Sequence, residues 1–481
     1  MTQGGQGRWS RRRALAAGLG LLLLSLFVFD RPLIRGDAVA YYMWTASIGT
    51  DFDMNLANQA EHFGPLNTYM AFLYAPTGHY ASVFAWGEGI ILLPSFWAAQ
   101  LLDRLPAMRV NDDWFLQLQA YPFAYSLLAM LEVNGLTVIS AGVIYGAARR
   151  LELSGRAALV AALAAVWATP LYYYTTMQPV YAHAGATFAH TLGIGLFIWA
   201  DTAADAPVYI TRGWSRGWRY GLAGLALGLA ALTRWQLALS ALILAALLLV
   251  QRRWRPAGWL LAGFAAIAWH IPYTLNWMFG SPFSIPVDAA TGSSGFLGVP
   301  RYILPVLFSG DRGWLVWSPL AALSLLGLAW LAVPGRRAVL AVALALILLA
   351  QVLAVSGVRD WFAGESFGMR RLTELYPVVA LGGAALLTWA GQAWTAGGAG
   401  QRVFAGTVAS LVALCIVYGW VLVVGYPMLG YFSDPSFGFF SVAPAATAWN
   451  TLGFVLHPHL DLIWPMMEHH FGPWAWTWPG P

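Results

Sequence analysis

Residues 35–55 read RGDAVAYYMWTASIGTDFDMN and directly follow an apolar run, residues 15–29, which is preceded by the basic RWSRRR. Three carboxylates (Asp37, Asp51, Asp53) stand here beside Tyr41 and Tyr42, in a chain of which only 10% is charged. Gly36 and Asp37 ahead of a Tyr/Met/Trp run suit a helix start, with the aspartate as its cap. A cap accounts for Asp37 but not for the second acidic cluster one short helix later.

Composition sets the class. Apolar residues make up 59% of the chain, mean hydropathy is +0.61, and runs such as 15–29 and 338–355 approach or reach membrane-spanning length. This is the pattern of an all-α polytopic membrane protein and excludes a soluble globule. The N-terminal run has the outline of a signal peptide, but no small-residue cleavage site precedes Arg31, so it reads as an uncleaved first span. The single cysteine, Cys415, excludes an intramolecular disulfide framework. All 26 basic side chains are arginine, the usage of a GC-rich bacterial genome. Membrane lipid is the implied environment, and no nucleic-acid partner is indicated.

Arginines cluster at 8–13, 149–156, 212–219, 252–255, 336–337 and 402. The positive-inside tendency places all six clusters in the cytoplasm, with about eleven spans between and after them. The N-terminus is then inside and the C-terminal tail outside. Residues 220–250, basic at both ends, must be two short spans broken near Thr233–Arg234. Of the 21 Asp and Glu, only Glu152, Asp201 and Asp205 fall in cytoplasmic loops, so the external face is the acidic, chemically equipped one. Residues 85–102 are apolar enough to cross, but crossing would flip Arg149, Arg150 and Arg156 outward. A helix lying along or dipping into the outer interface, with Trp86 and Trp97 at headgroup level, is the consistent reading. Residues 1–391 form the main module with a large external loop at 30–120, and residues 392–481 hold the last helix and an external tail.

Candidate site residues follow from cost. Arg234, between two short spans, is expensive in lipid and is by default a cavity-lining or functional group. The segment VRDWFAGESFGMRRLTE gathers Arg359, Asp360, Glu365, Arg370, Arg371 and Glu374 between two spans; an external Arg370–Arg371 pair breaks the positive-inside pattern and points to a bound anion. Asp51, Asp53 and Asn55 form an Asp-x-Asp-x-Asn run offering oxygen ligands to Mg²⁺ or Mn²⁺, with His62 as a further ligand for Mn²⁺; a solvated turn with an Asx cap accounts for them equally. The first loop adds Asn67, His79, Tyr80 and Asp112–Asp113, and another external segment carries Asp311–Arg312. His183 and His190 lie seven residues apart on one helix face, where packing or hydrogen bonding competes with a binding role for His183. An acidic centre, cations above it and an apolar groove suit a lipid-linked phosphosugar: arginines hold the phosphate, a carboxylate takes the acceptor's proton, and more cation than anion around Arg234, Arg370 and Arg371 calls for an anionic ligand.

The chain resembles the GT-C superfamily of integral membrane glycosyltransferases, especially the bacterial relatives of protein O-mannosyltransferases and of the aminoarabinose lipid A transferase. GDAVAYY matches the family's first-loop motif, WATPLYYY followed by YAHA resembles its span 3 to span 4 turn, and GLALGLAALTRWQ its short-span pair. SFGMRRLTELYP resembles a late-loop motif of bacterial members. The resemblance covers roughly residues 15–390. It implies a GT-C-like bundle, Asp37 as the catalytic acid-position residue, and substrate contacts from Tyr41, Tyr42, Asn55, His62, His79, His183, Arg234, Gln236, Arg370, Arg371 and Glu374. Ala38 follows Asp37 where the mannosyltransferases carry an Asp-Glu pair, so the sugar does not carry over. The expected activity is transfer from a polyprenyl-phosphate sugar to a glycan, lipid or protein acceptor, on the outer face of the cytoplasmic membrane. A transporter or ligase of lipid-linked sugars and a noncatalytic envelope scaffold are the alternatives; the transporter would place polar residues deep in several spans, and these are sparse apart from Glu132, Asn134 and Arg234.

Overall fold

In lipid a long apolar segment satisfies its backbone hydrogen bonds internally only as a helix, and the residues described here are helical nearly throughout. The structure, a computed structural model, describes residues 3–30, 32, 34, 36–63, 70–105, 121–203, 217–292, 295–310, 312–333, 337–364 and 366–426. Asn67, Asp112, Asp113, Asp311, Glu365 and the tail from 427 lie outside these. In chain order the elements are α1 (Gln3–Phe29), α2 (Asp37–Ala46), α3 (Ala57–Phe63), a hairpin of β1 (Phe72–Tyr74) and β2 (His79–Ala81), α4 (Gly87–Ile91) and α5 (Leu93–Leu102). Then follow α6 (Phe123–Arg150), α7 (Gly155–Trp167), α8 (Pro170–Thr176), α9 (Ala182–Ala203), α10 (Gly217–Thr233), α11 (Ala238–Val250), α12 (Trp254–Ala268) and α13 (His270–Phe279). Short helices α14 (Pro286–Thr291), α15 (Ile303–Phe308) and α16 (Trp314–Trp317) lead to α17 (Pro319–Ala332), α18 (Arg337–Ser356), α19 (Tyr376–Ala396) and α20 (Ala399–Gly425).

The protein is a multi-pass membrane protein built as a helical bundle. Among the described residues five helices are long and apolar enough to cross a membrane, or six if α7 and α8, bent by 67°, count as one. The other expected spans fall on helices that are not by themselves long and apolar enough to cross, and two of the interruptions have local causes. Between α7 and α8, Thr169 accepts the Leu171 N–H at 3.4 Å, and Pro170 has no N–H to continue the ladder. After α10, the Thr233 hydroxyl bonds the Leu229 carbonyl at 2.9 Å and Arg234 turns extended (φ −144°, ψ 103°) before a 3₁₀ turn, Trp235–Leu237. The break expected at Thr233–Arg234 is therefore present.

Small residues set the helix approach. A Cβ on Gly327 of α17 would collide with the Gly382 carbonyl of α19, so these two helices are in backbone contact. The basic clusters meet at one end: Arg337 pairs with Glu152, and Arg253 with Asp201 at 2.5 Å. From that end α10 runs to Arg234, while α19 runs the other way, from a 3₁₀ turn (Arg370–Leu375) to Thr388, which accepts the Ser154 N–H at 3.1 Å. The turn and Arg234 thus share the opposite end.

One expectation in the first loop changes. Trp97 is 46% exposed and its indole donates to the Gly49 carbonyl at 3.0 Å, but Trp86 is buried, edge-on to His270 with ring centroids 5.7 Å apart. Helix α4 is inserted against α2, α9 and α10 rather than lying on the surface, because its glycines allow contact that a surface helix would not need.

Candidate active site

Asp37 begins α2. Gly36, at φ +59°, turns the chain into the helix, in a conformation that disfavours a side chain, and a Cβ there would stand 2.8 Å from the Tyr181 hydroxyl. That hydroxyl accepts the Asp37 N–H at 3.3 Å, so residue 36 must be small for the contact to form. Arg370 Nη1 donates to Asp37 Oδ2 at 2.7 Å, in a pair that is still reached by solvent. Oδ2 is thus held, and Oδ1 has no partner among the described residues.

The 3₁₀ turn that carries Arg370 is fixed from behind. Glu374 is buried; its Oε1 accepts from His183 Nδ1 at 2.8 Å and forms an ion pair with Arg234, whose Nε lies 3.2 Å away. His190 Nδ1 lies 2.7 Å from the Glu374 carbonyl and so must donate to it, which leaves Nε2 to accept from Ser240 Oγ at 2.9 Å. Arg371 turns away from Asp37 and pairs with Asp360 at 3.1 Å. Only Nε of Arg234 is engaged: its two terminal nitrogens have no hydrogen-bond partner among the described residues and are not sealed from solvent. The electrostatic environment of Tyr41, one turn after Asp37, is set by Arg234, Asp37, Arg370 and Glu88 together. Burial pushes its hydroxyl up to about 12, so it stays a neutral phenol.

The sequence reading expects more cation than anion at this centre, and that excess is not found. Arg234, Arg370 and Arg371 each have a carboxylate partner: Glu374, Asp37 and Asp360. What remains for an anion is geometric, the free guanidinium edges of Arg234 and Arg370. His183 and Glu374 are buried against each other and act as supports rather than as exposed ligand contacts. Tyr42 is sealed among Phe96 and Tyr121, its hydroxyl without a partner among the described residues. His79 stacks on Trp277 at 4.3 Å, and Thr77 beside it donates to the Met278 carbonyl at 2.7 Å, which ties the hairpin to α13. Gln236 contributes its backbone carbonyl to Gln351 Nε2 at 2.8 Å.

The acidic run is a set of local caps. Asp53 Oδ1 accepts from Ser47 Oγ at 2.9 Å and from the Asn55 N–H at 3.0 Å, while Asn55 Oδ1 accepts the Ala57 N–H at 3.2 Å. Asp51 Oδ2 accepts from Asn58 Nδ2 and Gln59 Nε2, both at 2.7 Å. His62 lies on α3, at the end of this segment. Among the described residues no three His, Cys, Asp or Glu side chains converge as a cation site. One oxygen of each carboxylate, Asp51 Oδ2 and Asp53 Oδ1, is thus engaged by amide or hydroxyl donors.

Three contributors were not assigned from sequence: Tyr181, the His190–Ser240 pair and Glu88. The GEG tripeptide around Glu88, an acid flanked by glycines in an apolar stretch, was the available signal for the last.

No family model matches the sequence, and no curated protein matches it significantly. Solved structures do. The archaeal oligosaccharyltransferase AglB from Archaeoglobus fulgidus, in complex with an inhibitory peptide and a dolichol-phosphate, is similar over 99% of this chain and 62% of its own, at 14% identity and TM-score 0.55. The same organism's oligosaccharyltransferase tethered to an acceptor peptide containing the NVT sequon is similar over 98% of this chain and 61% of its own, at 12% identity and TM-score 0.56. ArnT from Cupriavidus metallidurans, bound to undecaprenyl phosphate, matches over 98% of this chain and 78% of its own, at 14% identity and TM-score 0.47. This chain spans about three fifths of the length of the two AglB structures. At these identities the likeness is one of fold.

Proposed function

We propose that this protein transfers a glycosyl group from a polyprenyl-phosphate-linked donor to a hydroxyl of a glycan, lipid or protein acceptor, at the external face of the cytoplasmic membrane. The observation that carries the reading is the Asp37–Arg370 pair at the same end of the bundle as the unengaged edge of Arg234. Asp37 Oδ1 takes the acceptor's proton, the freed oxygen bonds the anomeric carbon, and the sugar–phosphate C–O bond breaks with its electron pair on the phosphate oxygen. Arg234 and the free edge of Arg370 hold that phosphate as its charge grows. The AglB and ArnT structures carry dolichol-phosphate and undecaprenyl phosphate, which supports a donor of this class. No step is routed through a metal ion.

The test is Asp37→Asn, assayed in membranes with a lipid-linked donor. Turnover should fall by about 10²- to 10⁴-fold, the usual contribution of a positioned base, with expression and folding retained. Activity above a few per cent of the parent removes Asp37 from this role.

A further inference from the structure

Glu88 is fully buried, and neither of its carboxyl oxygens has a hydrogen-bond partner among the described residues. Glycines on three sides make room for it. A Cβ on Gly87 would strike the backbone of Leu232–Thr233, one on Gly89 would crowd Trp44 and Thr45, and one on Gly185 would overlap the Glu88 carboxyl itself. The acid is therefore built into the junction of α2, α9 and the end of α10, next to the break at Arg234.

Of the elements packed against its helix, α2 carries Asp37, Tyr41 and Tyr42, α9 carries His183 and His190, the break after α10 carries Arg234, and α5 carries no titratable group. Glu132 of α6 and Glu374 of the 370–375 turn, beside Arg370 and Arg371, complete the set. Burial holds the Glu88 carboxyl well above the usual carboxylate range; Glu132 and Glu374 push it the same way, and Arg234 opposes them.

We propose that Glu88 is a neutral acid in the working site and that its deprotonation weakens donor binding, so that the protein carries a built-in alkaline limit. Arg234 already gives Nε to Glu374. A second anionic side chain beside it repels a phosphate and competes for the terminal nitrogens. This rests on the phosphate role proposed for Arg234, and Glu88 is a positioning residue that never touches substrate.

The test is binding of a methyl diester of undecaprenyl phosphate, whose single charge does not titrate near neutrality, to the full chain in nanodiscs between pH 6.5 and 9.5. The dissociation constant of the parent should rise about tenfold over that range, the order expected for one unscreened charge at protein distances, and that of Glu88→Gln should stay flat. A Glu88→Gln profile that rises like the parent's overturns the inference alone. Binding at pH 6.5 that Arg234→Ala leaves unchanged overturns the phosphate reading as well. Should Glu88→Gln fail to fold, infrared titration of the parent and Glu88→Asp replaces it. The diester must raise the pH at which the Glu88 carboxylic C=O band is lost, by reciprocal linkage; a band absent at pH 7, or one the diester does not move, refutes the idea.

Discussion

A guanidinium with one nitrogen committed and two unengaged is a half-used ligand. Arg234 is fixed by Glu374 through Nε, so its plane is set before any substrate arrives. Arg234→Lys keeps the charge but loses both the planar fork and the Glu374 anchor. Donor KM should rise about tenfold or more for Lys and further for Ala, measured by initial rates against donor concentration; an unchanged KM in both would remove Arg234 from the donor site. Asp37 and Arg370 face each other at 2.7 Å, so Asp37→Asn and Arg370→Gln should be non-additive. The double variant should be about as slow as the worse single, and a cycle of rate constants checks this. At this scale the sequence was informative because charge in an apolar chain is costly: Asp37, Arg234, Arg370 and Glu374 were all picked out on that ground and all meet. Their pairing was not legible, since Arg234 finds its partner 140 positions away through tertiary packing, and a surplus of cations was the natural misreading.

Helices and turns carry the next layer. The 370–375 turn has its Glu374 carbonyl held by His190, which is itself held by Ser240 on α11. His190→Ala would leave that buried carbonyl without a donor, at about 1–3 kcal/mol. A lowered melting temperature together with a loss of kcat is expected; His190→Gln, able to donate, should recover part of both. Where α17 crosses α19, Gly382→Leu has no volume to enter and should destabilise by about 1–3 kcal/mol, seen in thermal unfolding in detergent, with donor KM unmoved. Element positions were legible from apolar runs, and the Thr233–Arg234 break from its polar interruption. The depth of α4 was not, because a Trp-bearing apolar stretch reads alike at a headgroup boundary and inside a bundle; three glycine contacts decide it.

Over the whole molecule, the basic loops are braced at one end by Glu152–Arg337 and Asp201–Arg253, and the Asp37–Arg370 and Glu374–Arg234 pairs lie at the other. Asp51 and Asp53 each have one oxygen engaged by amide or hydroxyl donors and one left over, and EDTA reads whether they hold a cation: turnover that survives unchanged excludes an exchangeable metal, and abolition restored by Mn²⁺ or Mg²⁺ assigns one. The overall class followed directly from hydropathy, whereas the sugar and the acceptor depend on loop surfaces whose shape is set only after the chain has folded.

The Asp37–Arg370 contact joins residues 333 positions apart. A chain still on the ribosome presents its aspartate long before the matching arginine has been synthesised. The pair therefore cannot close until the late helices have been delivered to the membrane, and a half-made copy caught in the translocon holds the aspartate without its guanidinium.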